Sequence, residues 1–278
     1  MLHLNTIYYD VYLSSKYCIY KTYYLVSSLN IIMVSNSLRQ ISILHPTFNA
    51  LRNNRNSYYK YILMCYHTIQ TKLALQIEKR FNAKIKDKAT FEKHEHINGF
   101  QFPETLVITN ENPKVIEYYN WGLIPQWSNN DKIKAMTLNA RIETVDKKRS
   151  FKDNINQRCL IIANGFYEWQ WLDSKGKNKI KYKIEINNEE LFAFAGLYSH
   201  WHDPNSGKLR NTYTMLTTIA NPLMAEIHNI KKRMPIILHP HDEVRWLNLA
   251  PIEDFAFPYS VDLLATQITD DSGILTLF

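Results

Sequence analysis

The chain of 278 residues is 45% hydrophobic and 21% charged, which fits a globular protein with a buried core and excludes a fibrous chain. Its formal net charge of +7 does not identify a partner, because six basic residues and one acid fall within residues 1–63 and leave 27 basic and 25 acidic residues elsewhere. Three widely spaced cysteines exclude a disulfide scaffold, and no apolar run approaches the roughly 18 residues of a membrane span.

Residues 1–63 differ in composition from the rest of the chain. They contain no Gly, no Glu and ten of the eighteen Tyr residues, and they lack a sustained helix or strand period. We predict that this segment is disordered or a spurious N-terminal extension, with Met64 as the true start. A genuine lineage-specific extension is the alternative. The predicted catalytic domain is then 64–278.

Helix and strand patterns begin after Met64. Apolar residues four apart predict an amphipathic helix over 71–83, and short strands follow at 106–109, 114–121 and 158–163. The pair Asn164-Gly165 is typical of a tight turn.

The second half of the domain predicts more strands than helices. Residues 179–187 alternate between apolar and polar side chains, and we expect them to form a hairpin with 191–198. Strands at 212–219 and 235–238 and helices at 222–228 and 242–248 complete the prediction. The predicted fold class is α+β, mainly antiparallel β, with a barrel-like core flanked by helices.

Cys65 carries the most reactive chemistry if it becomes the first residue. It then has an α-amine and a thiol on adjacent carbons, and such a 1,2-aminothiol condenses with an aldehyde to a thiazolidine. An α-amine has a pKa near 8 against about 10.4 for lysine, so far more of it is unprotonated at neutral pH. The alternative is a buried, inert cysteine.

Three further segments contain candidate site residues. In Leu138–Thr144, Asn139 is able to orient a substrate and Arg141 to bind a phosphate, although a capping loop is the alternative. Glu168 lies between aromatic residues, which predicts a raised pKa and general acid–base function; a surface glutamate is the alternative. His228 precedes Arg233-Met-Pro. The alternative to a catalytic role is a histidine that is only structural.

Aromatic and histidine pairs add two weaker signals. Trp121 and Trp127 in WGLIPQW are candidate stacking platforms for unpaired bases, with core packing as the competing use. Pairs of histidines at 94/96, 200/202 and 239/241 lack matching cysteines or acids. We therefore predict no metal and no cofactor.

The order of these motifs resembles the SOS-response-associated peptidase (SRAP) family of abasic-site processing proteins. The resemblance runs from Met64 to about Leu264 through WGLIPxW, LNARxET, NGFYEW, FAGLY, TTxAN and a His before RMPxIL. It implies a compact α+β domain with a barrel-like core. It also implies covalent capture of abasic sites in single-stranded DNA during the DNA damage response.

The same resemblance implies a role for each candidate residue. Cys65 forms the thiazolidine, Asn139 positions the amine and the sugar, Glu168 is the acid and base, and His228 assists proton transfer and a strand-cleaving lyase reaction. These four also explain self-cleavage that frees the Cys amine. Phosphates are bound by Arg141 and Arg233, and bases lie beside Trp121 and Trp127.

Two features of this chain depart from the family pattern. Tyr66-His67 replaces the usual Gly-Arg after the cysteine, and three extra residues separate His228 from Arg233, so that Lys231 or Lys232 is a candidate for the Arg's role. As written, Cys65 is also internal, so the mechanism requires Met excision or autoproteolysis before it.

The alternatives are a Cys65-dependent peptidase acting on protein substrates and a non-catalytic single-stranded DNA binder. The leading interpretation predicts a monomer in the bacterial cytoplasm, associated with the nucleoid when DNA is damaged.

Overall fold

The computed structural model describes residues 65–187, 190–257 and 261–269, together with the backbone of two strands near the N-terminus. Those two strands, β1 (Asp10–Ser14) and β2 (Tyr17–Lys21), form an antiparallel hairpin of their own. The remainder of residues 1–64 lies outside the described part. That residues 1–63 are disordered or spurious therefore stays a prediction.

The main unit contains fourteen described strands and three α-helices in mixed order. The strands are β3 (His67–Gln70), β4 (Lys84–Ile85), β5 (His94–Asn98), β6 (Glu104–Thr109), β7 (Val115–Trp121), β8 (Asn139–Arg141), β9 (Arg158–Ala163), β10 (Gly165–Trp171), β11 (Lys179–Ile186), β12 (Phe192–His202), β13 (Leu209–Ile219), β14 (Arg233–Pro235), β15 (Ile237–Leu238) and β16 (Leu263–Ile268). The helices are α1 (Ala74–Phe81), α2 (Pro222–Ile227) and α3 (Pro240–Leu247).

These strands form two sheets. The smaller has the order β16-β11-β10-β3-β5, and the larger has the order β14-β13-β12-β9-β6-β7-β4, with β8 on β13 and β15 on β12. A parallel pairing of β13 with β7 closes the run β13-β12-β9-β6-β7 into a five-stranded barrel. The α+β class with a barrel-like, mainly antiparallel core is thereby confirmed.

Strand β9 explains how the two layers of core are held together. All six of its residues are buried, so both of its faces are covered. Leu160 and Ile162 join an apolar cluster that includes Ile77 of α1 and Trp246 of α3. The alternate residues, such as Ile161, join a second cluster with Phe166 of the smaller sheet. Apolar burial on both faces, worth roughly 25 cal/mol per Å², thus fixes the smaller sheet against the barrel.

Two predicted connections are wrong. Asn164-Gly165 is not a hairpin turn, because the chain passes there from β9 in the larger sheet to β10 in the smaller one. Strand β12 lies between β9 and β13 and not beside β11, whose neighbours are β10 and β16. The predicted strands themselves are present within a few residues. The helices α1 and α2 are shorter than predicted, whereas α3 begins two residues earlier and ends one residue earlier than predicted.

Candidate active site around Cys65

Cys65 lies two residues before the first residue of β3, at the junction of the two sheets. Cys65 is 2% exposed and is therefore buried in the interior. Asn139 comes from β8 in the larger sheet and donates from Nδ2 to the carbonyl oxygen of Cys65 at 2.9 Å. The amide therefore fixes the backbone of Cys65 from across the sheet junction.

Glu168 approaches Cys65 from the neighbouring strand β10. The register pairs Tyr167 with His67, so the next residue along β10 reaches the segment that contains Cys65. The carboxyl group lies beside the thiol and shifts its pKa, and Glu168 is 4% exposed. The sequence prediction of a carboxyl group in an apolar setting agrees with this placement.

Burial dominates the titration of both groups. It raises the pKa of Glu168 above its usual value, and the opposing attraction of His228 only partly offsets this. Burial also raises the pKa of the Cys65 thiol, and the nearby Glu168 carboxylate raises it further. Both groups therefore hold their protons more tightly than in water.

Two buried acceptor atoms at the site have no hydrogen-bond partner among the described residues. They are Oδ1 of Asn139 and Oε1 of Glu168. A buried acceptor without a partner costs about 1–3 kcal/mol, so such atoms are typical of places that receive a donor from a ligand. An amine or a hydroxyl group presented beside Cys65 matches them.

His228 follows α2, and its ring is oriented by the backbone of Arg233. The backbone N–H of Arg233 donates to Nδ1 of His228 at 3.1 Å, so the proton of the neutral ring is assigned to Nε2. Lys232 donates from its backbone to the carbonyl oxygen of His228 at 2.8 Å and has a φ of 50°. The extra residues thus form a closed loop that returns Arg233 to the histidine.

Arg233 is buried in an ion pair, which corrects its predicted role in phosphate binding. Its guanidinium forms two hydrogen bonds to Glu143, at 2.7 and 2.8 Å, and one to the carbonyl oxygen of Thr217 at 2.7 Å. Burial acts to raise the pKa of Glu143, but the hydrogen bonds from Arg233 hold it below its usual value. Glu143 belongs to the LNARxET motif, yet nothing in the sequence identified it as the partner of Arg233.

The two predicted stacking residues differ in exposure. Trp121 is fully buried, lies against Tyr213 with ring centroids 6.0 Å apart, and donates from its indole nitrogen to the carbonyl oxygen of Leu138 at 2.8 Å. It supports the strand that carries Asn139, so its predicted contact with bases is wrong. Trp127 is 39% exposed, with the Arg149 guanidinium 4.4 Å from its ring centre.

We expect Trp121→Ala to lower the free energy of unfolding by about 3–5 kcal/mol, because it leaves a cavity in the core and an unpaired carbonyl group. Equilibrium urea denaturation measures the change. Trp127→Ala is the matched control and should alter the free energy of unfolding by no more than about 0.5 kcal/mol, as for most surface substitutions. Equal denaturation midpoints for the two variants would show that Trp121 is not structural.

Within the described ranges, no group of three or more His, Cys, Asp or Glu side chains is arranged to hold a metal ion. In the same part of the chain, no helix is both long and apolar enough to cross a membrane. The site is therefore composed of an amide, a carboxyl group, an imidazole and a thiol. All four come from separate segments of the chain.

Fold and site together define a domain built around one buried cysteine at the junction of a barrel and a second sheet. The chain belongs to the SOS response associated peptidase (SRAP) family, because the model of that family matches residues 64–269. This match covers most of the chain.

Several proteins of known sequence are similar to the chain. The abasic site processing protein YoqW of Bacillus subtilis is 46% identical over 129 residues, which are 46% of this chain and 55% of YoqW. The abasic site processing protein HMCES of Xenopus tropicalis is 32% identical over 159 residues, which are 50% of this chain and 47% of HMCES. The chain spans about half the length of these curated relatives.

Solved structures of the same fold are also similar. A protein from Bacteroides thetaiotaomicron has a TM-score of 0.69 and 32% identity, with 74% of this chain and 93% of that chain covered. A protein from Bordetella bronchiseptica has a TM-score of 0.62 and 25% identity, with 74% of this chain and 100% of that chain covered.

Proposed function

We propose that the chain processes abasic sites in single-stranded DNA by forming a thiazolidine crosslink through Cys65 as its N-terminal residue. The observation that carries this proposal is the convergence of Asn139 and Glu168 from two segments upon Cys65, with His228 acting electrostatically on Glu168. The relatives named abasic site processing proteins support the substrate.

The proposed reaction starts from the open-chain form of the abasic sugar, which carries an aldehyde. The α-amine of Cys65 adds to the aldehyde carbon, and the resulting carbinolamine loses water to give an imine. The thiol then adds to the imine carbon, and its proton is transferred to the ring nitrogen. One aldehyde and one aminothiol thus give one thiazolidine and one water. Glu168 donates the proton to the leaving hydroxyl group and accepts the thiol proton.

A raised thiol pKa favours this mechanism over the peptidase alternative. A thiol peptidase requires a thiolate as its first nucleophile. Burial and Glu168 keep the Cys65 thiol protonated, and the Nδ1 of His228 accepts from the backbone of Arg233. The uncharged amine is therefore the first nucleophile, and the thiol acts second, after the imine has formed.

Finer features of the proposal follow the family resemblance. We propose that the peptidase activity is self-cleavage ahead of Cys65, and that the same site supports a lyase reaction. We further propose that the protein acts as a monomer in the bacterial cytoplasm, where it reaches the nucleoid when DNA is damaged.

A denaturing gel with intact-mass analysis tests the proposed function. Protein expressed from Met64 is mixed with single-stranded DNA that contains one abasic site. We expect a heat-stable adduct with the mass of protein plus DNA minus one water, and none with undamaged DNA. Absence of the adduct, with Cys65 verified as the free N-terminus, would refute the proposal. So would efficient crosslinking by a chain in which residues 1–63 remain attached.

Arg141 is the arginine of the LNARxET motif that is exposed, in contrast to the buried Arg233. We expect Arg141→Ala to weaken binding of single-stranded DNA and to lower the slope of log affinity against log salt by about 0.7, the value for one lost phosphate contact. Fluorescence anisotropy over a salt series measures both quantities. Lys114→Ala, at an exposed lysine directly before β7, should leave the slope unchanged. Equal slopes for wild type and Arg141→Ala would exclude a phosphate contact there.

A further inference from the structure

An ion pair joins the two segments that deliver Asn139 and His228 to the site. Glu143 comes four residues after Asn139, just beyond β8. Arg233 comes five residues after His228, at the start of β14. Both strands flank β13, where Thr217 pairs with β8 on one edge and with β14 on the other. The ion pair therefore reaches across β13 from one half of the site to the other.

The two members of this ion pair differ in exposure. The side chain of Arg233 is 7% exposed and that of Glu143 is 32% exposed. Both terminal nitrogens of the guanidinium donate to the carboxylate, and one also donates to the carbonyl oxygen of Thr217. The third nitrogen, Nε, is buried and has no hydrogen-bond partner among the described residues. Because a buried cation that loses its counter-charge is costly, Glu143 is the group that keeps the arginine in place.

The backbone of Arg233 in turn sets the state of His228. Its N–H donates to Nδ1 of the ring at 3.1 Å, so this nitrogen is the acceptor and the proton lies on Nε2. His228 acts electrostatically on Glu168, which lies beside Cys65. A guanidinium that left the ion pair would carry the start of β14 with it. The contact at Glu143 is thus connected to the tautomer of the histidine.

The loop between His228 and Arg233 requires such a restraint. Lys232 has a φ of 50°, in the left-handed region that residues with a Cβ atom rarely adopt. Its backbone N–H donates to the carbonyl oxygen of His228 at 2.8 Å, and its own carbonyl oxygen accepts from the backbone of Ala220 at 3.0 Å. A strained conformation persists only where the surrounding contacts impose it. The side chain of Arg233, anchored at Glu143, supplies one of these contacts.

We infer that Glu143 is a positioning residue, which through Arg233 holds the ring of His228 in the Nε2–H tautomer that proton transfer uses. This inference rests on the proposed function and names a further residue for the same reaction. The carboxylate binds the arginine, and it acts on the histidine only through that arginine. A carboxylate that merely shields Arg233 from a DNA phosphate would instead act on DNA affinity and leave the tautomer unchanged.

Long-range ¹H–¹⁵N NMR of the full chain tests the inference without DNA, because it shows which ring nitrogen carries the proton. We expect Nε2–H for His228 in the wild type and a mixture of tautomers in Glu143→Gln, which keeps the shape of the side chain and loses its charge. Glu117→Gln is the matched control, because Glu117 forms an ion pair with Lys86 at 2.7 Å outside the site. It should leave the tautomer unchanged. His228→Gln assigns the resonances.

Single-turnover adduct formation on abasic DNA, with protein expressed from Met64, gives the second readout. We expect Glu143→Gln to lower the maximal rate about 10- to 100-fold without weakening DNA binding, because the imidazole is misplaced and the DNA contacts remain. Glu143→Asp keeps the charge and should recover part of the lost rate. Thermal unfolding verifies that each variant is folded.

The outcomes separate this inference from the proposed function. A wild-type tautomer or a wild-type rate in Glu143→Gln would overturn the inference. If only thermal stability falls, Glu143 is purely structural and the inference also fails. Tighter DNA binding with a steeper salt dependence and an unchanged tautomer would overturn it too, since Glu143 would then shield a phosphate-binding arginine. Mixed tautomers in Glu143→Gln, with no adduct from the wild type, would support the inference and refute the proposed function.

Discussion

A Cys65→Ser variant expressed from Met64 is expected to lose the heat-stable adduct, with at least about a hundredfold less product than the wild type, because thiols are much better nucleophiles than hydroxyl groups at neutral pH. The α-amine is retained, so the imine still forms but does not close to a thiazolidine. Addition of a borohydride reductant should therefore restore a permanent adduct. A denaturing gel with and without reductant measures both effects.

Two matched variants define the role of the thiol. Cys65→Ala also keeps the α-amine and should behave like Cys65→Ser. Cys159→Ala removes the other cysteine of the main unit, which is buried in the second apolar cluster, and should form the adduct normally. A stable adduct from Cys65→Ala without reductant would contradict thiazolidine chemistry, because no thiol would be present to close the ring.

Glu168→Gln is expected to slow adduct formation by about 10²- to 10⁴-fold, because an amide of the same shape cannot exchange a proton with the carbinolamine or the thiol. Single-turnover quench experiments on abasic DNA measure the rate. Glu226→Gln, at an exposed carboxylate two residues before His228, is the control and should react at the wild-type rate. A wild-type rate for Glu168→Gln would remove the carboxyl group from the mechanism.

The same variant reports on the titration of Glu168 through stability. Burial raises the pKa in the folded chain above its usual value of 4.5, so the unfolded chain loses this proton first as the pH rises. The contribution of Glu168 to stability is therefore complete below about pH 4.5 and is lost as the pH rises through the folded pKa. The free energy of unfolding of Glu168→Gln, minus that of the wild type, should increase across this window. A difference that is constant with pH would show that burial does not perturb the group.

The sequence predicted where the strands lie in the chain better than it predicted which strands pair with each other. Alternation in residues 179–187 identified the buried face of β11, but an alternating pattern carries no information about which strand lies beside it. The choice of neighbouring strand depends on contacts between residues that are distant in sequence. The pairing of β16 with β11 is an example. Gly165 was misleading for a similar reason. A Cβ atom there would lie 3.1 Å from the carbonyl oxygen of Ile184, so the glycine permits close packing of strands and not a turn.

The candidate site was predictable in its members and not in their surroundings. Asn139, Glu168 and Cys65 are brought together as the motif order suggested. The sequence did not indicate that Arg233 is neutralised by Glu143. The two residues are ninety positions apart, and the side chains of Arg and Glu are usually exposed to solvent. Nor did it indicate which aromatic residues are buried: Trp121 lies in the core, while Trp169 lies on the outer sheet face.

The position of β3 has a mechanical consequence for any crosslink. This strand is paired with β10 on one side and β5 on the other, and Cys65 is attached to its N-terminal end. A DNA strand joined to Cys65 and pulled along β3 would load both ladders in shear, so that the hydrogen bonds on each side resist together and do not open one by one. The crosslink is then anchored in an interior strand, and a motor that pulls the DNA must disrupt much of the smaller sheet before the protein yields.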